Sequence, residues 1–152
     1  MNKIEFNPLD KIPFLIARTH RTIHNTLNRR LAEYGLDITS EQAVVIMRCG
    51  ICEGMTQQEL SDAIFKEKSS AKRLVDNLVK KNLLVRIVDQ NDKRNKRIYL
   101  THGGKAIREQ MSLIAIELLE IVCSNIDENE MKTCKKVLTQ IFDNLNKENE
   151  KQ

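Results

Sequence analysis

The chain has 152 residues, of which 41% are hydrophobic and 30% charged, enough to bury the core of one modest domain. With 5 Gly, 2 Pro, 4 Phe, 2 Tyr and no Trp, it has too few turn-forming and β-favouring residues for a β-sandwich or a barrel. No run of about 18 apolar residues is present, and the first residues include acids and no apolar segment, so neither a membrane span nor a signal peptide is predicted. We therefore expect a mainly helical, cytoplasmic protein with reduced cysteines.

Basic residues are concentrated in one segment of the chain. Residues 66–97 contain 11 Lys and Arg against 4 Asp and Glu, whereas the other 120 residues carry a net charge of −3. Such a segment is expected for a surface that meets polyphosphate or anionic lipid. The alternative is a charged face that is only solvated.

Three helices are predicted in the first part of the chain. The first covers residues 10–34, where apolar residues recur at helical spacing, and it ends at Gly35. The second and third each begin with a capping box, in which a Thr and a Gln or Glu three residues later satisfy the first backbone N–H groups. These boxes are Thr39 with Gln42 and Thr56 with Glu59, and the second helix is expected to end near Gly50.

The basic segment predicts a helix followed by a hairpin. Residues 68–81 carry an apolar stripe, and their basic side chains lie on the opposite face of the predicted helix. Residues 84–88 and 97–100 are rich in β-favouring side chains and are separated by eight residues, DQNDKRNK, which predicts a hairpin with a long polar tip.

Two long helices are predicted after the hairpin, at about 103–124 and 128–146. In the first, apolar residues recur at alternating steps of four and three, as in a heptad seam. Asp127 and Glu130 form a third capping box, and the last helix is expected to dissolve into the polar tail KENEKQ.

A short helix, a turn, a basic helix and a basic hairpin together predict a winged helix-turn-helix. The basic helix is about 21 Å long at 1.5 Å per residue and fits a major groove, which is about 12 Å wide. The hairpin tip suits a minor groove or a phosphate backbone, because guanidinium groups are drawn to a narrow negative groove. Asp92 is expected to pair with a neighbouring arginine and fix the tip. The candidate DNA-binding residues are Lys68, Ser69, Ser70, Lys72, Arg73, Arg94, Lys96 and Arg97.

Four sequence stretches, in this order and spacing, resemble the MarR family of bacterial transcription regulators. They are TQQEL at 56–60, KSSAKRLVDNL at 68–78, KNLL at 81–84 and DKRNKRIYLT at 92–101. The resemblance implies a mainly α fold with a small β-hairpin wing in a single domain, 1–152. A winged helix-turn-helix DNA-binding lobe would cover 39–101, and dimerisation helices would cover 10–34 and 103–146. Phe65 and Asn82 stand where this family commonly has Gly.

The resemblance also implies a function. It implies a homodimer that binds a pseudo-palindromic operator in double-stranded DNA, with the basic helix in the major groove, Arg94 in the minor groove and Asp92 in a wing salt bridge. We expect a transcription regulator, more specifically a repressor, that is released by an unidentified small-molecule effector. That effector would bind between the lobe and the dimerisation helices and shift the population of conformers.

Other functions are also compatible with these residue patterns. A thiol- or metal-responsive regulator could use Cys49 with Cys52, or His20 with His24, since each pair shares a helix face. Two ligands do not complete a metal site, so we expect no metal and no cofactor, and we interpret Cys49, Cys52, Cys123 and Cys134 as buried, core-type residues. A winged-helix protein-interaction module is a further alternative. No hydrolase, metalloprotease or nucleotide-binding motif is present, so we do not expect an enzyme.

Overall fold

The computed structural model of the chain describes residues 11–150. The elements in chain order are α1 (Ile12–Glu33), α2 (Ser40–Ile51), β1 (Met55–Thr56), α3 (Gln57–Ala63), α4 (Lys68–Lys80), β2 (Leu84–Val88), β3 (Lys96–Leu100), α5 (His102–Cys123) and α6 (Glu128–Asn149). This order confirms the mainly helical fold with a small β wing. Asp10, the expected first residue of the first helix, lies outside the described residues. Over the described range, no helix is long and apolar enough to cross a bilayer.

All three predicted capping boxes are present. In α2, the backbone N–H of Gln42 donates to Thr39 Oγ1 at 3.2 Å, and the N–H of Thr39 donates to Gln42 Oε1 at 3.1 Å. Thr56 with Glu59 opens α3 in the same way, and Asp127 with Glu130 opens α6. These local patterns therefore determine where three of the helices begin.

The wing is a three-stranded antiparallel sheet with strand order β1-β3-β2. The predicted hairpin is confirmed, with Leu84 opposite Leu100 and Val88 opposite Lys96. The prediction missed β1, whose Met55 pairs with Ile98 and whose Thr56 pairs with Arg97. This third strand joins the start of α3 directly to the wing.

The chain divides into two compact units, the first ending at Ala115 and the second beginning at Ile116. The core of the first unit contains the predicted stripe of α4, since Ala71, Leu74, Val75 and Leu78 are all buried. It also includes Leu31 of α1, Val45 and Ile46 of α2, Leu60 of α3, Leu84 and Ile98 of the sheet, and Ile114 of α5. Burial of this stripe leaves the opposite face of α4 in solvent.

Both residues that replace the expected glycines adopt left-handed backbone conformations. Asn82 has φ +55° and follows α4, a conformation that Asn tolerates better than most residues. Phe65 has φ +52° in the turn between α3 and α4, and its side chain is 77% exposed. The hydroxyl of Ser61 donates to the carbonyl of Lys66 at 2.6 Å, and the N–H of Lys66 donates to the carbonyl of Ser61 at 3.1 Å. These bonds close the turn without a glycine.

Two expectations about the chain are wrong. The last helix continues to Asn149 instead of dissolving after residue 146, because its final residues are helix formers with no Gly or Pro to stop them. Cys49 is buried as expected, but Cys52 and Cys134 are exposed, and Cys123 is half-buried. Cys52 lies at the C-cap of α2, where the helix has already ended, and Cys134 lies on α6, which has no fully buried residue.

Candidate nucleic-acid interface

Helix α4 presents a cationic, hydrogen-bonding face to solvent. Lys68, Ser69, Lys72 and Arg73 are exposed, and Ser70 is half-buried. The N-cap residue, Glu67, makes no side-chain capping hydrogen bond. The first N–H groups of a helix have no partner within it and carry the positive end of its dipole, so this end of α4 suits an anion.

A cleft of about 660 Å³ lies between α4, the start of α3 and the wing. Its walls combine the amides of Gln57 and Gln58 with cations from both α4 and the hairpin. The cationic residues that line it are Lys68, Lys72, Arg86, Arg94 and Lys96, and among the described residues its one lining carboxylate is that of Asp76. Ser69, Ser70, Arg73 and Arg97, which the sequence also predicted as DNA-binding, do not line this cleft.

Asp76 connects α4 to the wing. Its carboxylate accepts hydrogen bonds from Lys72 Nζ at 2.8 Å and pairs with Arg86 Nη2 at 2.7 Å. The pairing with Lys72 first, and with Arg86 second, lowers the pKa of Asp76. Arg86 also donates to Gln57 Oε1 at 3.4 Å. Sequence reasoning missed Arg86, Gln57 and Asp76, although the spacing of four residues between Lys72 and Asp76 was a readable signal.

At the tip of the wing, Asp92 pairs with Arg94. The carboxylate of Asp92 accepts from the backbone N–H of Arg94 at 3.1 Å, from its Nε at 3.2 Å and from Asn95 Nδ2 at 3.1 Å. The expected pairing of this acid with a neighbouring arginine is therefore present. The side chain of Arg94 is nevertheless 92% exposed, so its guanidinium remains accessible.

Unlike the other predicted DNA-binding residues of the wing, Arg97 is half-buried and its guanidinium is bound within the protein. Its Nε donates to the carboxylate of Asp89, and its Nη1 donates to the carbonyl of Gly54 at 2.8 Å. Asp89 is buried at the base of the tip and also accepts from the N–H of Asn91. Nothing in the sequence distinguishes Asp89 beyond its being an acid within a basic segment.

The alternative switch sites gain no further ligands within residues 11–150. No group of three or more His, Cys, Asp or Glu in this range could hold a metal ion. The ring centroids of His20 and His24 lie 4.2 Å apart, and His24 Nδ1 is hydrogen-bonded to Ser40 Oγ at 2.9 Å. Burial raises the pKa of the Cys49 thiol to about 11, so very little thiolate forms at neutral pH.

The chain is similar to known regulators over most of its length. The model of the MarR family matches residues 35–95. The multiple antibiotic resistance protein MarR of Escherichia coli is 31% identical over 140 residues, which are 90% of this chain and 94% of that protein. The HTH-type transcriptional regulator SarZ of Staphylococcus aureus is 27% identical over 138 residues, covering 88% of this chain and 90% of that protein.

Solved structures have the same fold. The MepR–DNA complex of S. aureus superimposes with a TM-score of 0.82 at 25% identity, over 92% of this chain and 99% of that one. A cysteine-to-serine mutant of E. coli MarR, complexed with operator DNA, gives a TM-score of 0.81 at 28% identity, over 90% and 97%. This chain therefore belongs to the MarR family, whose members are DNA-binding winged-helix transcription regulators and not enzymes.

Proposed function

We propose that this chain is a homodimeric, sequence-specific DNA-binding protein that represses transcription until a small-molecule effector releases it. One observation carries this proposal: the cleft between α4 and the wing brings together cations from two elements that a DNA duplex can meet at the same time. A groove on the duplex and the phosphates beside it would neutralise these charges.

The DNA contacts are divided between the helix and the wing. Lys68, Ser69, Ser70, Lys72 and Arg73 lie in the first half of α4, which would enter the major groove. Arg94 and Lys96 lie at and beside the exposed tip, which would reach the adjacent minor groove or the backbone. Arginine can read guanine O6 and N7 with two hydrogen bonds, and the serines can serve several bases or a phosphate.

Exposed apolar residues support the proposed dimer. In the single chain, α6 leaves four large apolar side chains in solvent, and residues 116–123 of α5 leave another four. They are Val137, Leu138, Phe142 and Leu145 on α6, and Ile116, Leu119, Ile121 and Val122 on α5. Ile12, Phe14 and Ile16 of α1 are exposed as well. Patches of this kind mark association surfaces, so residues 10–34 and 103–146 would hold two copies together.

An apolar pocket of about 320 Å³ supports the proposed effector site. Its wall consists largely of hydrophobic side chains from α1, α2, α3 and α5, all within the first unit. Arg48 also lines it, and its Nε is buried without a hydrogen-bond partner among the described residues. The pocket therefore suits a small, mostly apolar molecule that brings one acceptor or anionic group. An effector that bound one conformer of the protein a hundredfold more tightly than the other would shift the equilibrium between them by about 2.7 kcal/mol, enough to release DNA.

Selection of bound sequences from random duplex DNA tests this function. We expect enrichment of a pseudo-palindrome whose half-sites lie about 34 Å apart, one turn of the duplex. Failure to bind any duplex, even at low salt, would contradict the proposal and favour a winged-helix module that binds another protein. Enrichment of a single, non-repeated half-site would retain DNA binding but contradict the twofold dimer.

A further inference from the structure

The tip of the wing, residues 89–95, contains two acids within the most basic part of the chain. Each carboxylate repels DNA phosphates at long range, so its presence beside a DNA-binding arm costs affinity unless it contributes in another way. Asp92 contributes by holding Arg94. The second acid, Asp89, makes a different set of contacts.

Asp89 lies at the centre of a continuous hydrogen-bond chain between the body of the lobe and the tip. On the body side, Arg97 donates Nη1 to the carbonyl of Gly54 at 2.8 Å and Nε to the Asp89 carboxylate. On the tip side, Asp89 Oδ1 accepts from the backbone N–H of Asn91 at 2.8 Å and from that of Asp92 at 3.4 Å. A single carboxylate therefore links a strand side chain to the backbone of the tip.

The same chain continues to Arg94. The N–H of Asp89 donates to the carbonyl of Asn95 at 3.0 Å, and the N–H of Asn95 donates to the carbonyl of Asp92 at 2.9 Å, which closes the loop. The Asp92 carboxylate then holds the N–H and Nε of Arg94. Every step from Gly54 to the Arg94 guanidinium is a hydrogen bond between described groups.

The anchor on the body side favours glycine. Gly54 has φ +73°, at which a side chain would be strained, and a Cβ at this position would lie 2.8 Å from the hydroxyl of Tyr99, so the Tyr99 side chain would have to shift. Its N–H donates to the carbonyl of Ile98 at 3.2 Å, which places its own carbonyl beside Arg97. The guanidinium of Arg97 therefore has a rigid acceptor on one side and a buried carboxylate on the other.

We propose that Asp89 and Arg97 are positioning residues, which hold the wing tip so that Arg94 can enter the DNA groove, and that Arg97 is not itself a DNA contact. This inference rests on the proposed function. A seven-residue loop that had to become ordered on binding would lose conformational entropy with every residue fixed, whereas a preorganised loop loses little.

Asp89 is ionised under the conditions of DNA binding. The N–H of Asn91 first, and Arg97 second, lower the pKa of its carboxyl below the ordinary range. The charged form accepts hydrogen bonds with both oxygens, which a neutral amide cannot do because its nitrogen only donates. Asp89→Asn therefore keeps the size of the side chain but must lose either the bond from Arg97 or the bonds from the tip.

The sign of the effect of Asp89→Asn on DNA affinity tests the proposal. The probe is a labelled duplex of the enriched sequence, and affinity is measured at fixed salt. We expect binding to weaken about tenfold, although the variant removes a charge that repels DNA. Asp37→Asn, which makes the same change at an acid between α1 and α2 whose side chain is 97% exposed, is the matched control and should bind equally well or slightly better. Binding by Asp89→Asn that equals or exceeds wild type overturns the proposal.

A double-mutant cycle separates positioning from loss of fold. In the background of Arg94→Ala, measured at lower salt, Asp89→Asn should change affinity by less than about twofold, since the side chain that it positions is gone. A loss of about tenfold in both backgrounds overturns the proposal, because it would show an effect independent of Arg94. Melting curves recorded for each variant restrict the comparison to temperatures at which all are folded.

Arg97→Lys tests whether Arg97 contacts DNA directly. Lysine keeps the positive charge and binds phosphate well, but it cannot direct two fixed N–H groups to Asp89 and Gly54 at once. If Arg97 is a positioning residue, Arg97→Lys should lose about as much DNA affinity as Asp89→Asn. An affinity near that of the wild type overturns the positioning role.

The proposed function and the positioning role fail in different ways. If the wild type enriches no DNA sequence, the proposed function is wrong. If the wild type binds DNA and these variants bind it equally well, only the positioning role is wrong.

Discussion

At the scale of single residues, the candidate interface depends on which cations are held and how tightly. Lys72 and Arg86 share the carboxylate of Asp76, while Arg94 is held by Asp92 at 3.2 Å and remains almost wholly exposed. Exposed ion pairs contribute only about 0–1 kcal/mol. Such a pair can direct a side chain and still exchange its partner for a phosphate, so these acids orient the cations at little cost to binding.

Arg94→Ala is expected to weaken DNA binding by about tenfold or more while leaving the oligomeric state unchanged, because it would remove the proposed groove contact, which we expect to be worth about 1–3 kcal/mol. Lys93→Ala is the matched control: it removes the same charge from the same loop, but Lys93 does not line the cleft. Mobility shifts on both variants measure the effect. Equal, small losses would contradict a specific role for Arg94 and leave only general electrostatic attraction.

The cysteines give a prediction that tests the thiol-switch alternative. With a pKa of about 11, Cys49 has almost no thiolate at neutral pH and is buried, whereas Cys52 is exposed. In the folded protein at about pH 7, a thiol reagent should modify Cys52 and leave Cys49 unmodified until denaturant is added. Mass spectrometry of peptides would show this. Rapid modification of native Cys49, with loss of DNA binding, would instead support the thiol switch.

The sequence predicted part of this site and missed the rest for identifiable reasons. Lys68, Lys72, Arg94 and Lys96 could be assigned because helix periodicity and the hairpin placed basic residues on exposed surfaces. The same pattern also predicts Arg97 as a DNA contact, because spacing along the chain does not show that this strand residue pairs with Asp89. The positions of Arg86 and Asp89 depend on contacts across the sheet, which spacing along the chain does not encode.

At the scale of elements, the local signals were the reliable ones. The capping boxes at Thr39, Thr56 and Asp127 act over three residues and were all readable. Strand β1 was missed because it has only two residues and its partners, Ile98 and Arg97, are more than forty positions away. The extra turn of α6 beyond residue 146 was missed because a polar tail of helix formers has no apolar period to read.

The junction between α1 and α2 gives a prediction about pH. His24 bonds to Ser40 at the start of α2 and faces His20, Glu41 and Lys66; its pKa is lowered, first by burial and second by His20. The folded protein therefore resists protonation of this ring, while the unfolded chain takes up a proton below about pH 6.5. Stability should fall as pH drops through that value toward the lower folded-state pKa, and level off below it.

Replacing the histidine tests this linkage. His24→Gln, which retains hydrogen-bonding groups near Ser40, should reduce the slope of unfolding free energy against pH between about pH 5 and about pH 7. Urea denaturation at constant protein concentration measures the slope. Gln110→Ala, which changes an exposed side chain of α5 that does not titrate, is the control and should leave the slope unchanged. An unchanged slope in His24→Gln would show that this ring does not couple folding to pH.

At the scale of the whole molecule, the basic segment and the larger group of exposed apolar side chains lie in different parts of the chain. Residues 66–97 carry a net charge of +7 and three exposed large apolar side chains, whereas α5 and α6 carry nine such side chains. The first surface predicts binding that weakens steeply with salt, by about 0.9 log units per neutralised phosphate for each tenfold rise in salt. The second predicts a partner, because a single chain would leave Leu119 and Leu145 more than half exposed to water.

The proposed dimer can be tested at Leu119, which is 61% exposed in the single chain. Burying a leucine is worth about 1.5–3 kcal/mol, and a twofold interface buries two copies, so Leu119→Glu should weaken association by about a hundredfold or more. Leu119→Met, which keeps the apolar area and the helix, should remain dimeric. Sedimentation at several concentrations measures the change, with far-UV circular dichroism to confirm that both variants are folded.

The same variant also tests how the dimer binds DNA. Because one lobe reaches only one half-site, the monomeric variant should lose most of its affinity for a palindrome and should bind an isolated half-site as the wild type does. If Leu119→Glu sediments as wild type does at every concentration, the exposed residues of α5 do not form the interface, and the twofold arrangement must be sought elsewhere on the chain.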